Sequence, residues 1–285
     1  MDKVPSLFVV ATPIGNLGDM TFRAVETLKA ADIIYCEDTR HTARLCTAYE
    51  ITTPREPYHD HNGAQMRPAI LDRLAAGQMI ALVSDAGTPL VADPGFKLVR
   101  AAREAGHTVV PVPGACAAVT GLSAAGLPSD QFFFAGFLPP KTSARQKALA
   151  ALGSVPGTLV FYETAPRVAA SLRDMIQALG PREAVVAREL TKRFEEMMSG
   201  DAANLADRLE AQPVKGELVI LLGPATVTAP SAKAIDAFLL AALADHPVKE
   251  AAKRAAAQFD IPRQRAYQRA LMLRSQMTDE SEPDQ

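Results

Sequence analysis

The sequence predicts an α/β protein of two lobes, a parallel-sheet N-terminal lobe and a mixed-sheet C-terminal lobe, followed by a small helical appendage. Two observations carry the lobes: apolar runs alternate with helical patterns, and two strands of the second half lie too close together for a crossover helix. A linker-like segment then precedes three helical patterns. We place the lobes at 1–120 and 121–225, the appendage at 232–276 and a disordered acidic tail at 277–285.

The N-terminal lobe is predicted from four short apolar runs that are rich in β-branched residues. These predicted strands are 7–11, 32–36, 79–83 and 108–112, and helices such as 20–31 and 96–105 lie between them. Strands that are apolar on both faces and separated by crossover helices are typical of a parallel sheet covered by helices. We therefore expect a mostly parallel sheet.

The C-terminal lobe shows five further strand patterns. They lie at 131–137, 157–163, 182–191, 193–200 and 216–223, with helices near 142–152, 166–178 and 201–211. The neighbouring strands 184–191 and 194–199 leave no room for a crossover helix, so we expect them to pair antiparallel. The second sheet is therefore predicted to be mixed.

The appendage is predicted as three short helices after a linker near 224–233. Pro247 and Pro262 fit the first turns of the second and third helices. The segment 232–276 holds eight Lys and Arg against four Asp and Glu. A basic third helix in such an arrangement is similar to a helix-turn-helix unit, and it indicates a polyanionic partner or, alternatively, a solvated helical face.

Composition and cysteine usage exclude several classes of protein. No apolar stretch approaches the roughly 20 residues of a membrane span, and the N-terminus lacks a secretory pattern, so we expect a cytoplasmic protein with no membrane partner. Cys36, Cys46 and Cys116 form neither a disulfide framework nor a zinc pattern. His59 and His61 lack a third ligand at workable spacing, so no metal site is expected.

Three loops rich in Gly and Pro follow predicted strands of the first lobe. They are TPIGNLGD at 12–19, SDAGTPLVADPG at 84–95 and PGACAA at 113–118. Ligands of open α/β sheets bind at this carboxyl edge, and glycine lets the backbone approach a ligand closely. Each loop alone is consistent with a simple turn. Together, and with Asp85 and Asp93 in one of them, they predict a binding site.

These loops belong to longer stretches that resemble the tetrapyrrole methylase superfamily. Within it, the sequence is similar to the bacterial ribosomal RNA small subunit methyltransferase I family. The matching stretches are 11–28, EDTRHT at 37–42, HDHN at 59–62, 82–95, 126–138, FYE at 161–163 and RELTK at 188–192. They extend over nearly the whole chain, and the resemblance implies a tetrapyrrole-methylase-like version of the two-lobed fold.

Two loops depart from the family pattern. The family commonly has P-G-P followed by Cys or Ser where this sequence has PGAC at 113–116. After FYE, the family has Ser or Thr and then a Pro- or His-containing turn, whereas this sequence has TAPR at 164–167. Both differences concern the details of loops and leave the expected reaction unchanged.

The resemblance implies that S-adenosylmethionine lies folded between the two lobes, held largely by backbone groups. Carried over residue by residue, the expected cofactor contacts are Pro13, Gly15, Asp85, Ala86, Gly87, Asp93, Cys116, Ala117, Phe161, Gly216 and Glu217. Independently, carboxylates and carbonyl oxygens suit a ligand with a sulfonium, an amino-acid tail and a ribose.

The candidate catalytic groups lie in EDTRHT, after strand 32–36, and in RELTK. Arg40 is the candidate phosphate clamp, and Asp38 and His41 are candidate proton acceptors or orienters. Alternatively, Asp38 or Thr39 caps the following helix while Arg40 faces solvent. Lys192 is a candidate for polarising a hydroxyl or holding phosphate, and the alternative is an ordinary surface lysine.

The resemblance implies 2′-O-methylation of the ribose of a cytidine in the decoding region of 16S rRNA, within the 30S subunit, by a homodimer. The basic appendage is then expected to contact RNA, with no DNA partner. Two alternatives stay open. The first is a methyltransferase that acts on a small tetrapyrrole precursor. The second is a non-catalytic ribosome-assembly factor that retains the fold.

Overall fold

The computed structural model describes residues 5–225 and 232–279, with side chains up to residue 276. The chain divides into two compact units, at 1–225 and 226–285. Most of the predicted linker at 224–233 lies outside the described residues. None of the described helices is long and apolar enough to cross a membrane.

The N-terminal lobe is built on a parallel sheet of five strands in the order β3-β2-β4-β1-β5. The strands are β1 Ser6–Val10, β2 Ile33–Cys36, β3 Arg55–Pro57, β4 Met79–Leu82 and β5 Thr108–Val112. Between them lie α1 Phe22–Ala30, α2 Thr39–Ala48, α3 Gly63–Ala75 and α4 Phe96–Glu104. The predicted parallel sheet and its four strands are confirmed.

Strand β3 was not predicted, because its sequence has no strand signal. It consists of Arg55, Glu56 and Pro57 at the edge of the sheet, where one flank needs no partner and charged side chains reach solvent. The two strands that follow it in the sheet order, β2 and β4, fit the prediction, since all four residues of each are buried. Apolar clusters pack on both faces of this sheet.

Helix α5 Ala117–Ala124 spans the predicted boundary at 120/121, and the C-terminal lobe contains a mixed five-stranded sheet. Its elements are β6 Phe132–Phe137, α6 Thr142–Ala150, β7 Thr158–Thr164, α7 Val168–Leu179, β8 Glu183–Arg188, β9 Glu196–Asp201, α8 Ala202–Ala211 and β10 Glu217–Leu222. The strand order is β6-β7-β10-β8-β9; β6 and β7 are parallel, and the other pairs are antiparallel. The antiparallel pairing of β8 with β9 confirms the mixed sheet.

The predicted strand at 182–191 ends earlier than its apolar pattern suggests. Strand β8 stops at Arg188, and the next residues Glu189 and Thr191 adopt φ of 48° and 66°. Such left-handed conformations cannot continue a strand, and they are uncommon outside glycine. The chain therefore turns sharply at this end of the sheet, which is also where the main pocket opens.

The second unit consists of α9 Ala232–Asp245, α10 Val248–Phe259 and α11 Arg263–Asp279. Its core combines leucines with four alanines of α10, which allow close approach of the neighbouring helices. The three predicted helices are confirmed. Helix α11 continues to Asp279, so the acidic tail, predicted to be disordered from residue 277, is helical in its first three residues. Residues 280–285 lie outside the described part of the chain.

Candidate active site

A pocket of about 350 Å³ lies between the loops of the N-terminal lobe and the mixed sheet of the C-terminal lobe. Both lobes belong to the first unit. The lining residues are Ile14, Asp85, Ala86, Gly87, Thr88, Val91, Ala92, Asp93, Ala117, Phe137, Tyr162, Glu163, Thr164, Ala187, Leu190, Lys192, Gly216, Glu217, Leu218 and Val219. The N-terminal loops contribute the carboxylates of Asp85 and Asp93, and the C-terminal lobe contributes both apolar side chains and the charged residues Lys192 and Glu217.

Hydrogen bonds join the three Gly- and Pro-rich loops to one another. Thr12 and Gly87 exchange two backbone hydrogen bonds, with N···O distances of 2.8 and 3.1 Å. The Thr88 hydroxyl donates to the carbonyl of Ala115 at 3.0 Å. Gly87 has φ of +80°, a backbone conformation that residues other than glycine rarely adopt. The loops therefore form one rigid wall.

Asp85 connects this wall to the EDTRHT segment. Its carboxylate accepts a hydrogen bond from the backbone N–H of Asp38 at 3.0 Å. Asp38 in turn caps helix α2, accepting from the backbone N–H of Arg40 at 2.8 Å, and it also binds the Arg40 guanidinium at 3.1 and 2.8 Å. These hydrogen bonds from Arg40 lower the pKa of Asp38 well below its usual range.

This arrangement bears on the two interpretations of Asp38. A carboxylate that caps a helix and binds an adjacent guanidinium is a poor proton acceptor. The cap that we considered as an alternative is present, and Asp38 fits the role of an orienter of Arg40. The Arg40 side chain is 90 % exposed, and His41 is also exposed. None of these three residues lines the pocket.

Three carboxylates, those of Glu37, Asp85 and Asp93, influence one another at the pocket, and the last two line it. Burial raises the pKa of Asp93 to about 6, with a smaller opposing effect of the Ser84 hydroxyl and a further increase from Glu37 and Asp85. Burial and the charge of Asp85 likewise raise the pKa of Glu37. Like charges in a partly buried wall repel one another. A positively charged ligand would relieve this repulsion.

Tyr162 links strand β7 of the mixed sheet to helix α5. Its hydroxyl accepts a hydrogen bond from the backbone N–H of Ala118 at 3.2 Å, in the first turn of that helix. Cys116, at the N-cap position, supplies no side-chain cap. Burial, followed by the neighbouring Cys116, raises the pKa of Tyr162. Tyr162 therefore stays neutral and holds α5 against the sheet.

Glu163, beside Tyr162, is almost completely buried and anchors the TAPR turn. Its carboxylate accepts from the backbone N–H of Thr164 at 2.8 Å and from the Ser171 hydroxyl at 2.6 Å. The Arg167 Nε lies 3.3 Å from the same carboxylate. This buried charge is paired and hydrogen-bonded, as it must be to tolerate burial.

Lys192 lies at the pocket wall between two glutamates. Its Nζ donates to Glu189 Oε1 at 3.0 Å and to Glu217 Oε2 at 2.7 Å. Partial burial opposes the charge, but the hydrogen bonds with Glu217 and Glu189 raise the pKa of Lys192 above its ordinary value. Lys192 is therefore a cation at neutral pH, and it cannot serve as a base.

Two glycines make room for this cluster. A Cβ on Gly15 would lie 2.4 Å from Lys192 Cγ, and a Cβ on Gly216 would lie 2.5 Å from Glu189 Cδ. Both glycines also have positive φ, +152° and +102°. Gly15 thus contacts the stem of Lys192 directly, which brings the first loop of the N-terminal lobe against the RELTK segment.

The pocket collects most, but not all, of the expected cofactor contacts. Those that line it are Asp85, Ala86, Gly87, Asp93, Ala117, Gly216 and Glu217. Pro13, Gly15 and Cys116 are direct chain neighbours of lining residues. The Phe161 side chain is fully buried in the core on the opposite face of the sheet, so only its backbone is available to a ligand.

Sequence reasoning missed Tyr162, Glu163, Thr88 and Glu189. For Tyr162 a signal existed, because successive strand residues point to opposite faces and only one of the pair 161–162 can face the pocket. Nothing in the sequence marked Glu189 as the partner of Lys192. Within the described residues, no group of His, Cys, Asp and Glu is arranged to hold a metal ion.

Taken together, the pocket suits a ligand that has a positive charge, hydrogen-bonding groups and an apolar part. The clustered carboxylates suit the positive charge, and the backbone of the joined loops suits the hydrogen-bonding groups. Residues such as Ile14, Leu190 and Val219 suit the apolar part. S-adenosylmethionine has all three features, so the residues present fit this cofactor.

Comparison with known proteins agrees with this geometry. Residues 6–206 match the family model described as Tetrapyrrole (Corrin/Porphyrin) Methylases, and residues 229–274 match the RsmI C-terminal HTH domain. A solved uroporphyrin-III C-methyl transferase from Thermus thermophilus, complexed with S-adenyl homocysteine, is similar in fold, with a TM-score of 0.54 and 18 % identity over 76 % of this chain and 97 % of that one. The family model covers more than half of the chain, so the chain belongs to the tetrapyrrole methylase family.

Curated relatives are more specific. The chain is 48 % identical to a ribosomal RNA small subunit methyltransferase I of Mesorhizobium japonicum over 95 % of this chain and 92 % of the relative. It is 46 % identical to the protein of the same name from Escherichia coli O157:H7, over 93 % and 94 % of the two chains. The chain belongs to the ribosomal RNA small subunit methyltransferase I family.

Proposed function

We propose that this protein transfers a methyl group from S-adenosylmethionine to the ribose 2′-hydroxyl of a cytidine in the decoding region of 16S rRNA, with the 30S subunit as substrate. The observation that carries the proposal is the pocket itself. An acidic wall suited to a cationic cofactor faces a protonated lysine, suited to an oxygen that becomes negative during the reaction.

The cofactor would be held by the joined loops, with Asp85 and Asp93 near its positive charges and Ala86, Gly87 and Ala117 offering backbone groups. When bound, S-adenosylmethionine supplies an electrophilic methyl group. From the C-terminal lobe, Gly216 and Glu217 close the opposite side. Phe161 contributes through its backbone, and Pro13, Gly15 and Cys116 shape the loops.

The catalytic roles divide between Lys192 and the start of α2. Lys192, held by Glu189 and Glu217, stabilises negative charge on the ribose oxygen. Arg40, oriented by Asp38 and exposed to solvent, contacts a phosphate of the rRNA. His41 is our candidate for the proton acceptor, because Asp38 is engaged in capping and Lys192 carries its proton.

The partners follow from this reaction. The substrate is rRNA within the small subunit, and the α9–α11 unit contacts RNA through the exposed basic residues of its helices. The protein works in the cytoplasm, without DNA or a membrane, and as a homodimer.

A methyltransferase for a small tetrapyrrole precursor is the second candidate, because solved structures of similar fold carry such titles. That reaction gives the basic α9–α11 unit no role. A non-catalytic assembly factor is the third. It gives the buried carboxylates and the Lys192 cluster around the pocket no role.

The test is methyl transfer from labelled S-adenosylmethionine to 30S subunits that lack the modification, with a tetrapyrrole precursor as the competing substrate. We expect label in 16S rRNA and none in the tetrapyrrole. Label only in the tetrapyrrole would support the second candidate. Cofactor binding without transfer to either acceptor would support the third.

A further inference from the structure

The loop between β8 and β9, residues 189–195, carries an aromatic side chain that the proposed reaction does not explain. Phe194 is 61 % exposed, although burying an aromatic ring is strongly favourable. It lies two residues after Lys192, which lines the pocket. The Arg193 guanidinium carbon is 5.6 Å from the centre of the Phe194 ring, within the range of a cation–π contact.

The loop that presents this pair is held in place by its own hydrogen bonds. The Glu195 carboxylate accepts from the backbone N–H of Thr191, and the backbone N–H of Lys192 donates to the carbonyl of Glu189 at 2.9 Å. Glu189 and Thr191 have positive φ. Non-glycine residues in this conformation cost free energy and are concentrated at functional sites. Phe194 is therefore presented by an ordered and strained turn.

Several cations lie at this end of the sheet, among carboxylates that pair with some of them. Among the side chains of residues 5–225 and 232–276, no carboxylate lies within ion-pair distance of Arg193 or of the exposed Lys215, which precedes Gly216 of the pocket. A second depression of about 430 Å³ is lined by Arg188, Arg208 and Lys215 against the single carboxylate of Glu196. Arg208 and Arg188 approach that carboxylate at 3.0 and 3.5 Å. The depression keeps an excess of positive charge.

We propose that the 189–195 loop and Lys215 form a docking site for the single-stranded rRNA next to the target nucleotide. Phe194 stacks on a nucleobase, while Arg193 and Lys215 contact phosphates. The pattern of an exposed ring beside unpaired cations matches how proteins bind unpaired RNA, since every base offers a face for stacking and every phosphate a charge. The inference rests on the proposed rRNA methylation and extends it.

The test is the rate of methyl transfer to unmodified 30S subunits at saturating S-adenosylmethionine, as a function of subunit concentration. We expect F194A to raise KM for 30S by roughly 5- to 150-fold, the range of one base–aromatic stack, with kcat and cofactor affinity unchanged. F194W, which keeps an aromatic face, restores the KM. R193Q lowers the slope of log affinity against log salt by about 0.7, the value for one phosphate contact on a single strand.

The matched control is F132A, which removes a 47 % exposed ring at the opposite end of the same sheet and leaves KM unchanged. An F194A variant with wild-type KM contradicts this inference while the proposed function stands. Reduced cofactor affinity in F194A, or a changed molecular mass in solution, also contradicts it, because the ring then supports the pocket or joins copies. If the unsubstituted chain methylates no rRNA, both proposals fail.

Discussion

At the residue scale, the acidic wall is the feature with the clearest physical consequence. Asp93 has a pKa of about 6 against an ordinary value of 3.8, chiefly because of burial. Its proton therefore stabilises the folded state fully below pH 3.8, and this contribution is lost as the pH rises through 6. At neutral pH, Asp93 destabilises the ligand-free protein and is available to a cation.

We predict that D93N raises the melting temperature of the ligand-free protein by roughly 2–4 °C at pH 7.5, and that the difference vanishes below pH 4. The same substitution weakens binding of S-adenosylmethionine by about tenfold or more at pH 7.5, because a charged partner is removed. Thermal melts and calorimetry between pH 4 and 8 measure both effects.

The control for this change is D130N, at an exposed carboxylate outside the pocket, which should alter neither quantity. Our assignment of Asp93 to the cofactor site would be wrong if D93N bound the cofactor as tightly as the parent protein at pH 7.5. A lower melting temperature for D93N would contradict the raised pKa.

Asp38 gives a second prediction at this scale, because it combines a helix cap with the orientation of Arg40. D38A should lower the free energy of unfolding by about 1 kcal/mol, as is typical for the loss of an N-cap. T21A removes the side-chain cap of α1 and should cost a similar amount. Only D38A should also raise KM for 30S, since Arg40 is then left without its partner.

Urea titration and steady-state kinetics compare the two variants. Equal KM values for D38A and T21A would show that Asp38 acts only as a helix cap, and they would contradict the proposal that it orients Arg40 toward a phosphate. If only D38A lost the dependence of kcat on pH, Asp38 would be the proton acceptor.

Single residues also show how far sequence reasoning reaches. Asp85 and Asp93 were predicted for the pocket, and both line it, because the loop after β4 leads directly to the carboxyl edge of the sheet. The resemblance assigns Phe161 to the cofactor site, but the side chain that lines the pocket is that of Tyr162, on the other face of β7. The partnership of Lys192 with Glu189 and Glu217 depends on a turn and on a distant strand, which no local pattern reveals.

At the scale of elements, the pocket depends on turns that only glycine allows. Gly216 has φ of +102°, and a Cβ there would lie 2.5 Å from the Glu189 carboxyl carbon. We predict that G216A displaces Glu189, disturbs Lys192 and weakens cofactor binding by about tenfold or more. Isothermal titration with S-adenosylmethionine measures the change.

G106A provides a matched control, because Gly106 has φ of +80° and no atom within 4 Å of the position of a Cβ. It should cost about 1–2 kcal/mol of stability from backbone strain alone, with unchanged cofactor affinity. Equal losses of affinity in both variants would show that the contact between Gly216 and Glu189 has no special role.

Strands with continuous apolar runs were predicted well, whereas elements without such a pattern were not. The buried strands β1, β2 and β4 follow from their β-branched runs, because burial on both faces requires such sequences. Strand β3 forms only because the edge of β2 offers hydrogen bonds, so tertiary context outweighs its Arg-Glu-Pro sequence. The end of β8 is set by left-handed residues that sequence propensity does not indicate.

At the scale of the whole molecule, the first unit contains the complete pocket and its own core clusters, and the second has a separate core. We predict that a chain without residues 232–285 still folds and binds S-adenosylmethionine with wild-type affinity. Its affinity for 30S subunits should fall at least tenfold, because the basic helices are lost. Sedimentation with 30S at two salt concentrations measures this. Unchanged 30S affinity would refute an RNA-binding role for α9–α11.

Our central proposal is that the protein methylates the ribose 2′-hydroxyl of one cytidine in the decoding region of 16S rRNA. The most direct measurement is mass spectrometry of 16S rRNA fragments after reaction of the purified protein with S-adenosylmethionine and 30S subunits from a strain lacking the gene. We predict one new 2′-O-methylcytidine in the decoding region, and none when Lys192 is replaced by methionine. A methyl group on a base, on another nucleoside or outside the decoding region would contradict the account.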